Sequence, residues 1–318
     1  MPNRNSLNSW KLRHIIRGTA TWVPFLGALR RRHARTGGTN SARYCYTVWL
    51  RHLVGLSRYG FQITGARVGE LGPGDSIGTG FAALLSGAQS YVGLDVVPFS
   101  FRYDLESILD ELVSLYSNKE PIPDDNEFPR VRPKLASYGF PDHLIDRSEF
   151  RDRINQIKTE IRRGIGSGEI VRYLAPWTSI RDIRPHSLDL IFSQSVLEYV
   201  LPLDSAYTAM AAWLKPGGYS SDAIDFSAMY LSPYWNGHWA YSDWEWRLVR
   251  GRRKFFLNRE PLSAHLACVE KAGFEILEID KEQDTAGLDV NDLSARFRHI
   301  CMEDQQTRGA VIVLRKKK

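Results

Sequence analysis

The chain has 318 residues, 43% of them apolar and 25% charged, with a formal net charge of +6. That length buries a full core in one large or two small domains, and no apolar run reaches the roughly 18 residues of a membrane-spanning helix. Three cysteines, at 45, 268 and 301, lack the spacing of a zinc site or a disulfide framework, so no metal is expected and a reducing cytosol is the simplest location.

Residues 1–60 carry eleven Arg or Lys and no acid, leaving 31 basic against 36 acidic residues in the remainder. This basic arm points to an anionic partner: a membrane surface to which the protein is peripheral, a phosphorylated substrate, or RNA. A solvated helical cap with a chance bias is the plain alternative. The apolar stretch 18–29 contains Pro24 and runs into Arg30-Arg31-Arg32 without a small-residue cleavage site, which argues against a secretory signal. From Tyr44 to Leu56 the apolar residues fall at helical spacing. Arg67–Val96 reads as strand, glycine-rich turn, helix and second strand, the layout of a nucleotide-binding βαβ half-unit. Phe101–Tyr116 is an amphipathic helix, and Glu149–Arg163 a charged one ended by Gly164, Gly166 and Gly168. Residues 119–168, with their proline-rich connector, form an insertion read as a lid or a dimer contact. Ile170–Leu174 and Leu188–Ser193 are the third and fourth strands, the latter apolar enough for burial on both faces of a parallel sheet. A helix over Asp204–Leu214, a stop at Lys215–Gly218 and a fifth strand over Tyr219–Ile224 follow. Tyr230–Trp246 packs seven aromatics into 17 residues, either a stacking surface for a flat or sugar-like acceptor or a locally packed cluster. A helix over Glu260–Lys271 and strands over Phe274–Asp280 and Ala310–Leu314 complete the chain.

Within the βαβ unit, Gly72 and Gly74 let the backbone turn tightly and approach a ligand. Asp75 or Ser76 can cap a helix whose N–H groups face the same ligand. Asp95 lies where a carboxylate accepts both hydroxyls of a ribose. The dinucleotide pattern wants a further glycine at position 77, but Ile77 stands there. The motifs E-x-G-x-G at Glu70–Gly74, LDLIFSQSVLEYV at 188–200 and WLKPGG at 213–218, in that order, resemble the class I S-adenosylmethionine-dependent methyltransferases, in particular the small-molecule, type 11-like group. The resemblance spans roughly residues 67–226. It implies an α/β Rossmann-like, seven-stranded, mostly parallel sheet with an antiparallel last strand, a helical N-terminal cap and lid insertions. The implied organisation is a basic cap over 1–60, a cofactor-binding core over 61–228 and an acceptor-side segment over 229–318.

The same resemblance implies S-adenosyl-L-methionine as cofactor. Glu70, Gly72 and Gly74 then meet its methionine and ribose, Asp95 its ribose hydroxyls and Val96 its adenine. Ser193 and Gln194, at the end of strand four, lie near the transferable methyl. Position 177 or 182 borders adenine only by a poor match. Glu198 reads as structural, and Tyr199 replaces the histidine common there. Asp225 and His238 are the candidate catalytic bases; Trp235, Trp239 and Tyr241 are the candidate acceptor contacts. The activity expected is methyl transfer to a small molecule, on a hydroxyl of a sugar or secondary metabolite. An RNA methyltransferase guided by the basic arm, a silent cofactor-binding partner protein, and a NAD-dependent oxidoreductase are the alternatives.

Overall fold

A computed structural model describes residues 4–23, 38–98, 103–165, 168–177 and 179–318. The arginines at 30–32 and 35, Gly37, the expected helix start at Phe101 and the glycine at 166 lie outside the described residues.

Helix α1 spans Arg4–Thr19 and α2 Ala42–Ser57; then come β1 (Arg67–Leu71), α3 (Gly78–Ser86) and β2 (Ser90–Leu94). Next are α4 (Leu105–Ser117), α5 (Phe150–Arg163), β3 (Val171–Leu174), β4 (Leu188–Gln194), α6 (Leu203–Trp213) and β5 (Leu214–Asp225). The chain ends with α7 (Asp243–Arg250), α8 (Leu262–Lys271), β6 (Phe274–Gln283), the short α9 (Met302–Gln306) and β7 (Thr307–Lys316). The sheet order is β3-β2-β1-β4-β5-β7-β6. Strands β1 to β5 are parallel, and β7 runs antiparallel to both its neighbours. This is a Rossmann-like α/β sheet. The expected turn at Lys215–Gly218 is absorbed into β5, whose pairing with β4 slips between Leu188 and Leu190.

Side chains alternate across the central strands, as a pleated sheet covered on both faces requires. Val68, Leu190, Phe192, Val311 and Val313 join α2, α3, α4 and the insertion in one core. Leu71, Ile191, Ile224, Ile312 and Leu314 join α6 and α8 in the other. The insertion is tied to α2 by Arg51, whose fully buried guanidinium donates to Asp125 (2.9 Å), to the Pro123 carbonyl (2.7 Å) and to the Val131 carbonyl (2.8 Å). A buried cation is tolerable only with such a partner set. The aromatic stretch is not an irregular loop throughout, because Ser242 and Glu245 form a capping box that starts α7.

Candidate functional site

Register brings the carboxyl ends of four parallel strands to one edge. Leu71 pairs with Leu94 and with Ser193, and Ser193 pairs with Asp222. Ligands in open α/β sheets bind at this edge. Here β1 delivers Glu70 and the turn Gly72–Gly74, β2 delivers Asp95, β4 delivers Gln194 to Glu198, and β5 delivers Asp225.

Gly72 and Gly74 both have positive φ, +64° and +76°. At Gly72 a Cβ would also come within 2.5 Å of the Val196 side chain, so the turn needs glycine for packing as well as for conformation. The start of α3 is not open. Ser76 N–H donates to the Thr39 hydroxyl (3.1 Å), Ser76 Oγ donates to the Thr39 carbonyl, and Gly78 N–H donates to Ser76 Oγ (3.0 Å). Two of the amides around this helix start, those of Ser76 and Gly78, are therefore taken by Thr39, just ahead of α2, and by Ser76 itself. A pyrophosphate needs such amides exposed; a nucleoside without phosphate does not.

Asp95 is buried, and its Oδ1 accepts from the amides of Val96 (2.6 Å) and Val97 (3.3 Å). Val96 itself is half-exposed and presents an apolar side chain beside that carboxylate. Glu70 is buried and accepts one hydrogen bond from the Tyr91 hydroxyl, at 2.5 Å. Burial pushes its carboxyl up to about 8, with the Asp95 charge adding to the effect. Glu198 is more isolated still: it is 3% exposed, and neither carboxylate oxygen has a hydrogen-bond partner of good geometry. Burial first and the charge of Asp225 second hold it well above the usual carboxylate range. Tyr44, at the start of α2, lies within electrostatic range of both Glu70 and Glu198. Its ring meets Phe128 of the insertion edge-on at 5.6 Å. Asp225 accepts from the Ser227 amide at 2.8 Å.

Asp95, Glu70, Glu198 and Asp225 thus form a set of acidic groups at the strand ends, with the Tyr44 hydroxyl of α2 within electrostatic range of Glu70 and Glu198. Among the described residues none of them has an ion-pair partner. Two non-glycine residues with positive φ, Ser195 at +56° and Met229 at +50°, lie just beyond β4 and β5. Strained backbone of this kind clusters where a site is being shaped. The Tyr199 hydroxyl reaches the Met229 sulfur at 3.0 Å, and Asn258 holds the Leu197–Val200 turn through the Leu197 carbonyl (2.7 Å) and the Val200 carbonyl (3.0 Å).

Other expected site residues lie elsewhere or point elsewhere. Ser193 is fully buried and donates to Asp222 at 2.6 Å, so its hydroxyl is committed beneath the sheet edge. With Ser220 also donating, Asp222 is still pushed up by burial to about 6. Gln194 points toward His52 of α2, whose Nδ1 contacts the Ser221 hydroxyl at 2.8 Å. Trp177 packs edge-on against Trp213, and Asp182 completes a capping box with Ser179.

The acceptor reading of the aromatic stretch is corrected by burial. Trp239 stacks on Phe297 with centroids 5.8 Å apart and its indole N–H donates to the Arg259 carbonyl (3.0 Å); Trp235 lies edge-on to it. Tyr241 is fully buried between Trp10 and Trp246. His238 packs against Trp239 with the rings tilted by 37°, is 3% exposed, and is pushed down to about 3 by burial and then by Arg259. In this geometry it is a neutral packing residue rather than a base. From the sequence Glu198 reads as structural and Tyr44 as a core aromatic, and neither is among the expected site residues. The signals for Glu198 are its place in the motif at 188–200 and a carboxylate within an apolar run.

No family model matches the chain, and a search of curated proteins finds no match. Among solved structures, the S-adenosylmethionine-dependent methyltransferase from Mesorhizobium loti is 15% identical over 82% of this chain and 96% of its own, with a TM-score of 0.37. Phosphoethanolamine N-methyltransferase 2 of Haemonchus contortus, in complex with S-adenosyl-L-methionine, is 16% identical over 85% of this chain and 53% of its own, with a TM-score of 0.42. Likenesses this distant add nothing to the fold assignment, which rests on the chain's own strand order. By that order, with β7 antiparallel between β5 and β6, the chain has the Rossmann-like fold implied by its resemblance to the class I S-adenosylmethionine-dependent methyltransferases.

Proposed function

We propose that the protein is an S-adenosylmethionine-dependent methyltransferase acting on a small-molecule hydroxyl. The observation that carries this reading is the set of carboxylates without cations above the glycine turn. A buried carboxylate lacking a counter-charge is unfavourable, and a cationic ligand supplies what is missing. S-adenosylmethionine brings a sulfonium and an ammonium, a ribose for Asp95, an adenine for the apolar side chain of Val96, and no phosphate to require open amides at α3. A dinucleotide matches this site poorly on charge, and two amides at the turn, those of Ser76 and Gly78, are already taken.

Bound there, the cofactor offers a methyl group already activated by the sulfonium. The chain's own residues would then align an acceptor, exclude water and take up its proton. Asp225 is the proposed base, because it stands at the end of β5 beside the apolar surroundings of Glu198. Tyr230, 69% exposed, is the proposed acceptor-side aromatic in place of the buried tryptophans. Calorimetry with S-adenosylmethionine, S-adenosylhomocysteine and NAD tests the reading. Binding of the first two and not the third supports it; binding of NAD alone overturns it.

A further inference from the structure

Helix α1 is amphipathic in an unusual sense. Its inner face is fastened to the aromatic segment: Trp10 meets Tyr241 edge-on at 5.2 Å, Lys11 donates to the Ala240 carbonyl at 2.5 Å, and His14 is buried. Gly18 lies so close to the Leu248 and Val249 carbonyls that no side chain fits between the helices. The face turned away from the body should be polar throughout. Instead it alternates Leu12-Arg13 with Ile16-Arg17, and both Leu12 and Ile16 are 58% exposed. Trp22 and Val23, just beyond the helix, are also about half exposed.

The cations around this apolar stripe come from two separate parts of the chain. Arg13 and Arg17 belong to α1; Arg247, Arg250, Arg252 and Lys254 belong to α7 and the turn after it, and all six are exposed. The Arg252 guanidinium sits 5.1 Å from the Trp22 ring centroid, and Arg253 lies with Arg13 and Arg17 around His14. Among the described residues no carboxylate forms an ion pair with any of the six. Tyr230, beside His14 at 6.3 Å, links this surface to the site, because it also acts on Tyr199.

We propose that the surface formed by α1 and the α7 turn docks the protein on an anionic phospholipid bilayer, with Leu12, Ile16, Trp22 and Val23 entering the interface and the arginines pairing with head groups. Charge complementarity selects an anionic partner, and exposed aliphatic side chains between the arginines select a lipid surface over RNA, which offers phosphates and bases but no hydrocarbon. The docking does not require the methyltransferase reading. Where both hold, the site faces an acceptor carried in or at the bilayer.

The test uses the full-length chain in flotation assays with vesicles of phosphatidylcholine, with and without phosphatidylserine. Binding should require phosphatidylserine and fall with salt, since exposed charges are screened within about 10 Å at 0.1 M. Arg13→Ser with Arg17→Ser should weaken binding about 25-fold, at roughly fivefold per cation. Leu12→Ser with Ile16→Ser should weaken it by about tenfold, because these side chains lose their burial in the interface. All four positions face outward, so the thermal midpoint and vesicle-free binding of S-adenosylmethionine should be unchanged. That keeps a failure of docking separate from a failure of the cofactor assignment. Absence of phosphatidylserine-dependent binding overturns the proposal. So does wild-type binding by the Leu12/Ile16 variant together with retention of single-stranded RNA, which would identify a nucleic-acid surface.

Discussion

Glu70→Gln should move stability and cofactor binding in opposite directions. The Glu70 carboxyl is buried, has one hydrogen bond from Tyr91, and is pushed up from 4.5 to about 8. A folded-state value above the unfolded one means that the folded chain holds the proton more tightly. The associated stability is fully present below about pH 4.5 and is lost as pH rises through about 8. At 1.36 kcal/mol per pKa unit, the full loss is about 3 to 5 kcal/mol once the carboxylate is ionised. Glutamine keeps an oxygen for the Tyr91 hydroxyl and cannot ionise, so the variant escapes this loss. Scanning calorimetry should find wild type and Glu70→Gln alike near about pH 5 and the variant higher by roughly 5 to 10 °C near about pH 9, at 2 °C or so per kcal/mol for a chain this long. Isothermal titration of S-adenosylmethionine should show the reverse: wild-type affinity grows with pH toward about 8 as a cation stabilises the ionised form, and the variant loses that dependence. A melting difference that stays constant from acid to alkaline pH would refute the reasoning, because Glu70 would then carry a compensated charge already.

Asp95→Asn keeps an oxygen for the Val96 and Val97 amides and removes the charge, so S-adenosylmethionine should bind about tenfold to a hundredfold more weakly by titration with little change in melting. Gly72→Ala combines a positive φ with a contact on Val196, and chemical denaturation should register about 1 to 3 kcal/mol of destabilisation together with loss of cofactor binding. Arg51→Ala removes three hydrogen bonds that hold the insertion on α2. It should lower stability by about 2 to 4 kcal/mol and expose the connector between α4 and α5 to limited proteolysis.

The sheet was legible in the sequence because strand burial writes itself as local apolar runs. Leu188–Ser193 reads as a central strand from composition alone, and the glycine turn with Asp95 follows from spacing inside one βαβ unit. The boundaries that moved did so for equally local reasons, such as the bulge that draws Leu214 into β5. What the sequence left undecided depends on groups far apart in the chain. A glycine turn before a helix looks the same whether or not the helix amides are open. Here Thr39, ahead of α2, takes the Ser76 amide from 37 residues away, and no pattern around Gly72 records that. The same holds for the aromatic segment, where seven aromatics in 17 residues fit a stacking platform and a packed cluster equally. Phe297 and Trp10, from opposite ends of the chain, decide for packing by covering Trp239 and Tyr241. Glu198 shows the converse. A carboxylate among apolar neighbours looks structural when read locally, yet Asp225 and the Tyr44 hydroxyl lie within electrostatic range of it, and burial holds its carboxyl well above the usual carboxylate range without a counter-charge. The site's chemistry is therefore a property of the strand-end register, which aligns Leu71, Leu94 and Ser193, more than of any single motif.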